Sequence, residues 1–145
     1  MEKFKEDFQK AVRSLKIADH MTYVTYPLIN EKRLLLKIFT EITNSITHCI
    51  SSILDYEKIN SRPPIELFIE NAKKYEISNS QIKQIQEILK INRKYKESAM
   101  EFVKKNKIVI LSENLQTQTL DIIKIKEFLL IAKEFLMKVN LRISN

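Results

Sequence analysis

The sequence predicts an all-α domain, an up-and-down bundle of about five helices with a small β-hairpin before the last helix, and three observations predict it. Apolar residues recur at helical spacing along four long segments and one shorter one. Proline-bearing breakers interrupt that pattern at Pro27 and at Pro63-Pro64. One β-branched run, Lys107–Leu111 (KIVIL), departs from it just ahead of the last segment.

Phe4, Phe8, Ala11, Leu15, Ala18 and Thr22 form one stripe of a long first helix, which Pro27 should end or kink. Tyr23–Asn30 (YVTYPLIN) then reads as the helix end plus a short connector. A second helix runs from about Glu31 to Tyr56 with Leu35, Ile38, Ile42, Ile46, Cys49, Ile53 and Tyr56 on one face. The short connector forces these two helices into an antiparallel hairpin. Pro64 suits the first turn of a shorter third helix through Phe68, Ala72 and Tyr75.

Ser78 with Gln81 three residues on has the form of a capping box. The fourth helix it opens carries Ile82, Ile85, Ile88, Leu89 and Ile91 and continues toward Phe102. Lys107–Leu111, the turn residues Ser112–Leu115 and a return over Gln116–Thr119 make the hairpin. Asp121 caps a last helix with Ile122, Ile125, Phe128, Leu129, Ala132, Phe135, Leu136 and Val139 on a wide stripe. No internal repeat, low-complexity tract or long linker divides the 145 residues, so one domain is expected over 1–145.

Composition excludes several classes of function. There is no glycine, so neither a Walker loop nor a dinucleotide-binding loop can form, and left-handed turns must use Asn, Asp or a bulkier residue. Cys49 is the single cysteine, which rules out an internal disulfide and points to a reducing, cytoplasmic setting. The start MEKFKEDFQK is too charged for a signal peptide, and no stretch reaches the ~20 apolar residues of a membrane span. His20 and His48 each lack the companions of a metal site, so neither a metal nor a cofactor is expected.

The formal charge is +7, and it is concentrated. Lys90, Arg93, Lys94, Lys96, Lys104, Lys105 and Lys107 face only Glu97 and Glu101 within residues 90–107, a net +5 that leaves +2 for the rest of the chain. Such a segment can neutralise several phosphates with salt-sensitive, sequence-independent affinity, which makes these seven residues the candidate nucleic-acid-binding set. Lysines at a helix end also simply complement the helix dipole in solvent. The five tyrosines are scattered over different elements and make no interleaved stacking platform. Arg13 and His20 could share a face of the first helix about 10 Å apart in rise, a pair of the kind that assists RNA cleavage.

The run ITNSITHCISSILDYE on the second helix, the later stretch ILKINRKYKESAMEF and the last-helix stretch IKEFLLIAKEFL resemble the HEPN superfamily of small helical domains. Those domains occur alone, beside nucleotidyltransferases and in toxin systems. ADHMTYVTYPL and KESAMEFVKKNKIVI give the chain the look of archaeal members of that kind. Members that are ribonucleases carry an arginine followed a few residues later by a histidine on a later helix, usually brought together across a dimer. Arg93 is the position the resemblance points to, yet Lys94 to Met100 contains no histidine, and Arg13 with His20 lies on the wrong helix.

The resemblance therefore implies a degenerate, non-catalytic member. The expected function is a non-enzymatic interaction module that docks a protein partner or self-associates as a homodimer. The alternatives are an RNA or polyanion binder using residues 90–107, and a ribonuclease using Arg13 and His20.

Overall fold

The computed structural model describes residues 2–58, 64–71 and 76–144, and the side chains of 64, 65, 67 and 71 are outside that description. The elements run α1 (Lys3–His20), a π-helical turn (Met21–Thr25), α2 (Tyr26–Ile29), α3 (Leu34–Tyr56), α4 (Pro64–Asn71) and α5 (Asn79–Lys96). The strands β1 (Met100–Lys104), β2 (Lys107–Leu111) and β3 (Thr117–Leu120) follow, and α6 (Ile122–Ile143) closes the chain. The mainly helical bundle expected from the apolar periodicity is present, and the sheet lies before the last helix as the β-branched run required.

α1 and α3 pair antiparallel at close range. Ala11 and Ala18 on α1 are fully buried, and on α3 Ser45 lies against Ala11 while Ser52, two turns on, lies against Phe4. The Ser45 hydroxyl donates to the Ala11 carbonyl at 2.8 Å and the Ser52 hydroxyl to the Phe4 carbonyl at 2.7 Å. Side chains this small let two backbones approach until a hydroxyl reaches the neighbouring helix directly. α3 is the hub of the fold, with thirteen buried residues from Leu35 to Leu54. Its predicted stripe from Leu35 to Ile53 is buried throughout, and Tyr56 at its end packs edge-on to Phe4 at 5.1 Å.

α6 lies across the α1–α3 pair. Phe39 meets Phe128 at 5.9 Å and Arg142 bonds Glu57 at 2.7 Å, so α6 runs parallel to α3. It runs antiparallel to α1, where Lys133 bonds Asp19 at 2.5 Å and Lys126 and Lys133 both sit over the Tyr23 ring. Phe68 of α4 is fully buried edge-on against Phe135 of α6. α5 adds Ile82, Ile85, Ile88 and Ile91 to the same core.

The capping expectations hold. Ser78 and Gln81 form the reciprocal box, and the Asp121 carboxylate accepts from the Lys124 N–H at 2.8 Å. The glycine-free chain places Asn30, Lys58, Glu76, Lys105 and Leu115 at positive φ. Each sits beside a helix end or in a hairpin turn.

Several expectations are corrected. Tyr23–Asn30 is not a connector, because the helical path continues to Ile29 and Asn30 ends it in the left-handed region. The π-turn explains how it passes Pro27: the Tyr26 N–H bonds back to the Met21 carbonyl, widening the turn where the proline lacks an N–H and its ring would press on the preceding turn. The second helix accordingly begins at Leu34 rather than Glu31.

The fourth helix does not continue to Phe102. It ends at Lys96, and Met100–Lys104 is strand β1. The apolar strand β2 would otherwise present a bare edge, and the Ala99 N–H opens the pairing by donating to the Leu111 carbonyl at 2.9 Å. The sheet is antiparallel in the order β1-β2-β3, one strand more than the expected hairpin. Of the expected third-helix stripe, Phe68 is placed, while Ala72 and Tyr75 lie outside the described residues, as does Pro63 of the breaker ahead of it.

Two stability measurements follow from this packing. Ser45→Ala removes one hydrogen bond from a carbonyl that keeps its own helical partner and is expected to cost about 1 kcal/mol. Ser45→Val wedges the helices apart and is expected to cost more, about 1–3 kcal/mol, in chemical denaturation. Leu115 is 79% exposed with φ 64, so Leu115→Gly is expected to stabilise the chain by about 1 kcal/mol.

Candidate functional site

The seven candidate cations fall into two groups. Lys90, Arg93, Lys94 and Lys96 ride on the last two turns of α5, whose C-terminal carbonyls they complement. Lys104, Lys105 and Lys107 are gathered at the tip of the β1–β2 hairpin. Strand β1 separates the groups, carrying the chain roughly 13 Å from Met100 to Lys104 at the rise of an extended strand.

Their surroundings differ. Lys94 lines a cleft with Glu97, Ser112, Glu113, Asn114 and Gln116, so it borders two carboxylates, Glu97 at the end of α5 and Glu113 in the β2–β3 turn. At the hairpin tip Lys104 stands directly opposite Lys107 across the ladder. Among the described residues neither group forms an ion pair. Arg33 reaches the hairpin from the start of α3, its Nη2 donating to the Glu101 carbonyl at 3.5 Å on the outer edge of β1. Sequence reasoning missed Arg33, since nothing in the sequence ties it to a strand 68 residues away.

A second surface is apolar. Ile123, Leu130, Met137 and Leu141 on α6 are 68%, 58%, 63% and 56% exposed. With the exposed Glu127 and Glu134 they make a single row along the helix at alternating intervals of four and three. The opposite side of α6 holds Ile125, Phe128, Leu129, Ala132, Phe135 and Val139 in the core. The sequence carries this outer row as plainly as the inner one, but a stripe read only for its buried face hides it.

Arg13 and His20 are both exposed on α1. They lie about 10 Å apart in rise, and neither has a carboxylate partner within 4 Å among the described residues. His48 is partly buried on α3, and burial followed by the nearby charge of Lys10 holds its pKa below the usual value. Cys49 beside it is buried, which pushes its thiol up and leaves it protonated and unreactive. Among the described residues no group of three or more His, Cys, Asp or Glu is placed to hold a metal ion. No described helix is long and apolar enough to cross a membrane.

A close carboxyl pair joins α1 to the end of α3. Asp7 and Asp55 share a hydrogen bond, and Lys3 bonds both, at 3.5 Å and 2.8 Å. Burial, then the hydrogen bond to Asp55, raises Asp7 above the usual carboxylate range. Burial works against Asp55 too, but its bonds with Asp7 and Lys3 and the charge of Lys3 hold it below that range. The pair tethers two helices and does not line the cleft at Lys94.

No protein-family model matches the sequence, and no curated protein sequence matches it.

The Asp7–Asp55 pair carries a pH signature. The contribution of Asp7 is fully present below the ordinary carboxylate pKa and is lost as pH rises through its raised value. That of Asp55 is present above the ordinary value and is lost as pH falls through its lowered one. Asp7→Asn keeps a permanent N–H donor toward Asp55 and is expected to raise the thermal midpoint at pH 7. The advantage should shrink as the pH falls and wild-type Asp7 takes up its proton. Asp55→Asn is expected to lower the midpoint at pH 7.

Proposed function

We propose that this chain is a non-catalytic helical interaction module that self-associates through the outer face of α6. The observation that carries the reading is the exposed row of Ile123, Leu130, Met137 and Leu141, which spans about 27 Å of helix. Exposed apolar side chains that recur along one helix face, here with Glu127 and Glu134 set between them, offer a seam for association that singly scattered ones do not.

The spacing of the row favours a second copy as occupant. Ile123, Glu127, Leu130, Glu134, Met137 and Leu141 are separated by four, three, four, three and four residues, an order that reads the same from either end. Two α6 helices related by a two-fold axis and packed antiparallel therefore set Ile123 against the partner's Leu141 and Leu130 beside the partner's Glu134. The same register lays Glu127 alongside the partner's Lys138, once on each side of the axis. Burying these side chains contributes roughly 1–2 kcal/mol each. The cost of association takes up much of that, so dimerisation in the micromolar range is expected.

A degenerate HEPN-like role is compatible with this reading. Arg93 is exposed near the end of α5, and the residues after it lead into β1 with no histidine among them. The two histidines belong to α1 and α3.

Sedimentation equilibrium tests the proposal. A concentration-dependent dimer is expected, with Leu130→Asp and Met137→Asp converting it to monomer while the far-ultraviolet circular dichroism, and the thermal midpoint measured well below the dimerisation range, stay unchanged. A wild-type chain that remains monomeric at about 1 mM would sink it.

A further inference from the structure

The register of the sheet sorts its side chains onto two faces, because cross-strand partners point the same way. Ile108, Ile110 and Leu120 enter the main core. Their partners Val103, Glu101 and Gln118 share that inner face. The outer face carries three rows: Met100 with Leu111 and Thr117, Phe102 with Val109 and Thr119, and Lys104 with Lys107. Val109 is buried without belonging to the main core, flanked by Phe102 and Thr119.

Two features of this outer face run against a purely structural role. An antiparallel sheet whose outer side meets only water is ordinarily polar there, yet this one sets Met100, Phe102, Val109 and Leu111 side by side. Like charges directly opposite each other destabilise a ladder, yet Lys104 faces Lys107 and the turn between them adds Lys105 at φ 56. Among the described residues no carboxylate pairs with them: Glu101, the only acid on β1, turns to the inner side, where it accepts from the Ser98 hydroxyl at 3.0 Å. Arg33 adds a fourth cation at the β1 edge.

We infer that this face and the hairpin tip bind a single-stranded polynucleotide, with a base stacked on Phe102 and the adjoining phosphates held by Lys104, Lys105, Lys107 and Arg33. An apolar protein partner would match Met100 and Phe102 and leave the lysines unanswered. An acidic peptide would answer the lysines and leave the ring bare. A nucleotide presents a flat π-face beside an anion, and rows on one face of a strand are about 6.7 Å apart, so ring and lysine row are reached together. The α5 cations play no part, since the cleft at Lys94 is bordered by Glu97 and Glu113. The inference is independent of α6 association.

Fluorescence anisotropy with labelled 12-mers of uridylate and thymidylate tests it, with heparin as a polyanion lacking bases. Three to four phosphate contacts predict a slope of about −2 to −3 in log affinity against log salt. Changing Lys104, Lys105 and Lys107 together to Gln should abolish binding of both 12-mers and of heparin. Phe102→Leu keeps an apolar side chain over Val109 and should weaken 12-mer binding about tenfold or more while leaving heparin binding unchanged. Preference for uridylate over thymidylate identifies RNA as the ligand, and the reverse identifies DNA; either supports the assignment. Failure of the wild-type chain to bind either 12-mer at 50 mM salt would overturn it. So would undiminished binding by the triple variant, equal losses on changing Arg93, Lys94 and Lys96 to Gln, or a duplex bound as tightly as a single strand.

Discussion

The close approach of α1 to α3 is the constraint on which the rest of the molecule depends. The small side chains of Ser45 and Ser52 on α3, with Ala11 opposite the first, let the two hydroxyls bond the α1 carbonyls of Ala11 and Phe4 directly. That contact fixes the antiparallel register and leaves the remaining faces of α3 for α4, α5 and α6 to cover. A helix buried on so many sides has no freedom to slide, because every shift would carry a large side chain into a position occupied by a small one. The Asp7–Asp55–Lys3 cluster and the Phe4–Tyr56 contact then close the far end of the same pair.

The fixed core determines what remains for the surface. α6 needs its inner stripe to cover α1 and α3, so Ile123, Leu130, Met137 and Leu141 are surplus to the monomer. The sheet needs Ile108, Ile110 and Leu120 to join the core, so the apolar side chains of its other face are surplus in the same sense. The two surfaces differ in charge: carboxylates interrupt the α6 row, whereas lysines end the sheet's rows. Self-association and polyanion binding are therefore distinct proposals resting on distinct residues.

Much of this was legible in the sequence where a local rule governs. The Ser78–Gln81 box, the Asp121 cap, the stripe of about six turns along α3 and the strand Lys107–Leu111 each follow from neighbours within a few residues. What was not legible depends on distant partners. Met100–Lys104 carries two strand-favouring residues, Phe102 and Val103, too few to separate it from the helix before it, and β2's edge completes the choice. Pro27 reads as a helix stop, and the π-turn that carries the helix past it to Ile29 left no separate mark in the sequence. The basic segment was visible as a run of charge, but its division between a helix end and a hairpin tip follows from β1, and the approach of Arg33 from the fold as a whole.

The most direct test of the account is the distance between two copies of α6 in solution. Cys49 is buried with its thiol pushed up, so a nitroxide attached at Lys124→Cys reports on the new thiol by pulsed electron resonance. Antiparallel pairing through the outer row places the two position-124 backbones about 24 Å apart along the helix axis, and a single narrow distance distribution near 25–30 Å is predicted. The absence of any distance between copies at concentrations of hundreds of micromolar, or a distance below about 15 Å such as parallel pairing would give, would contradict it.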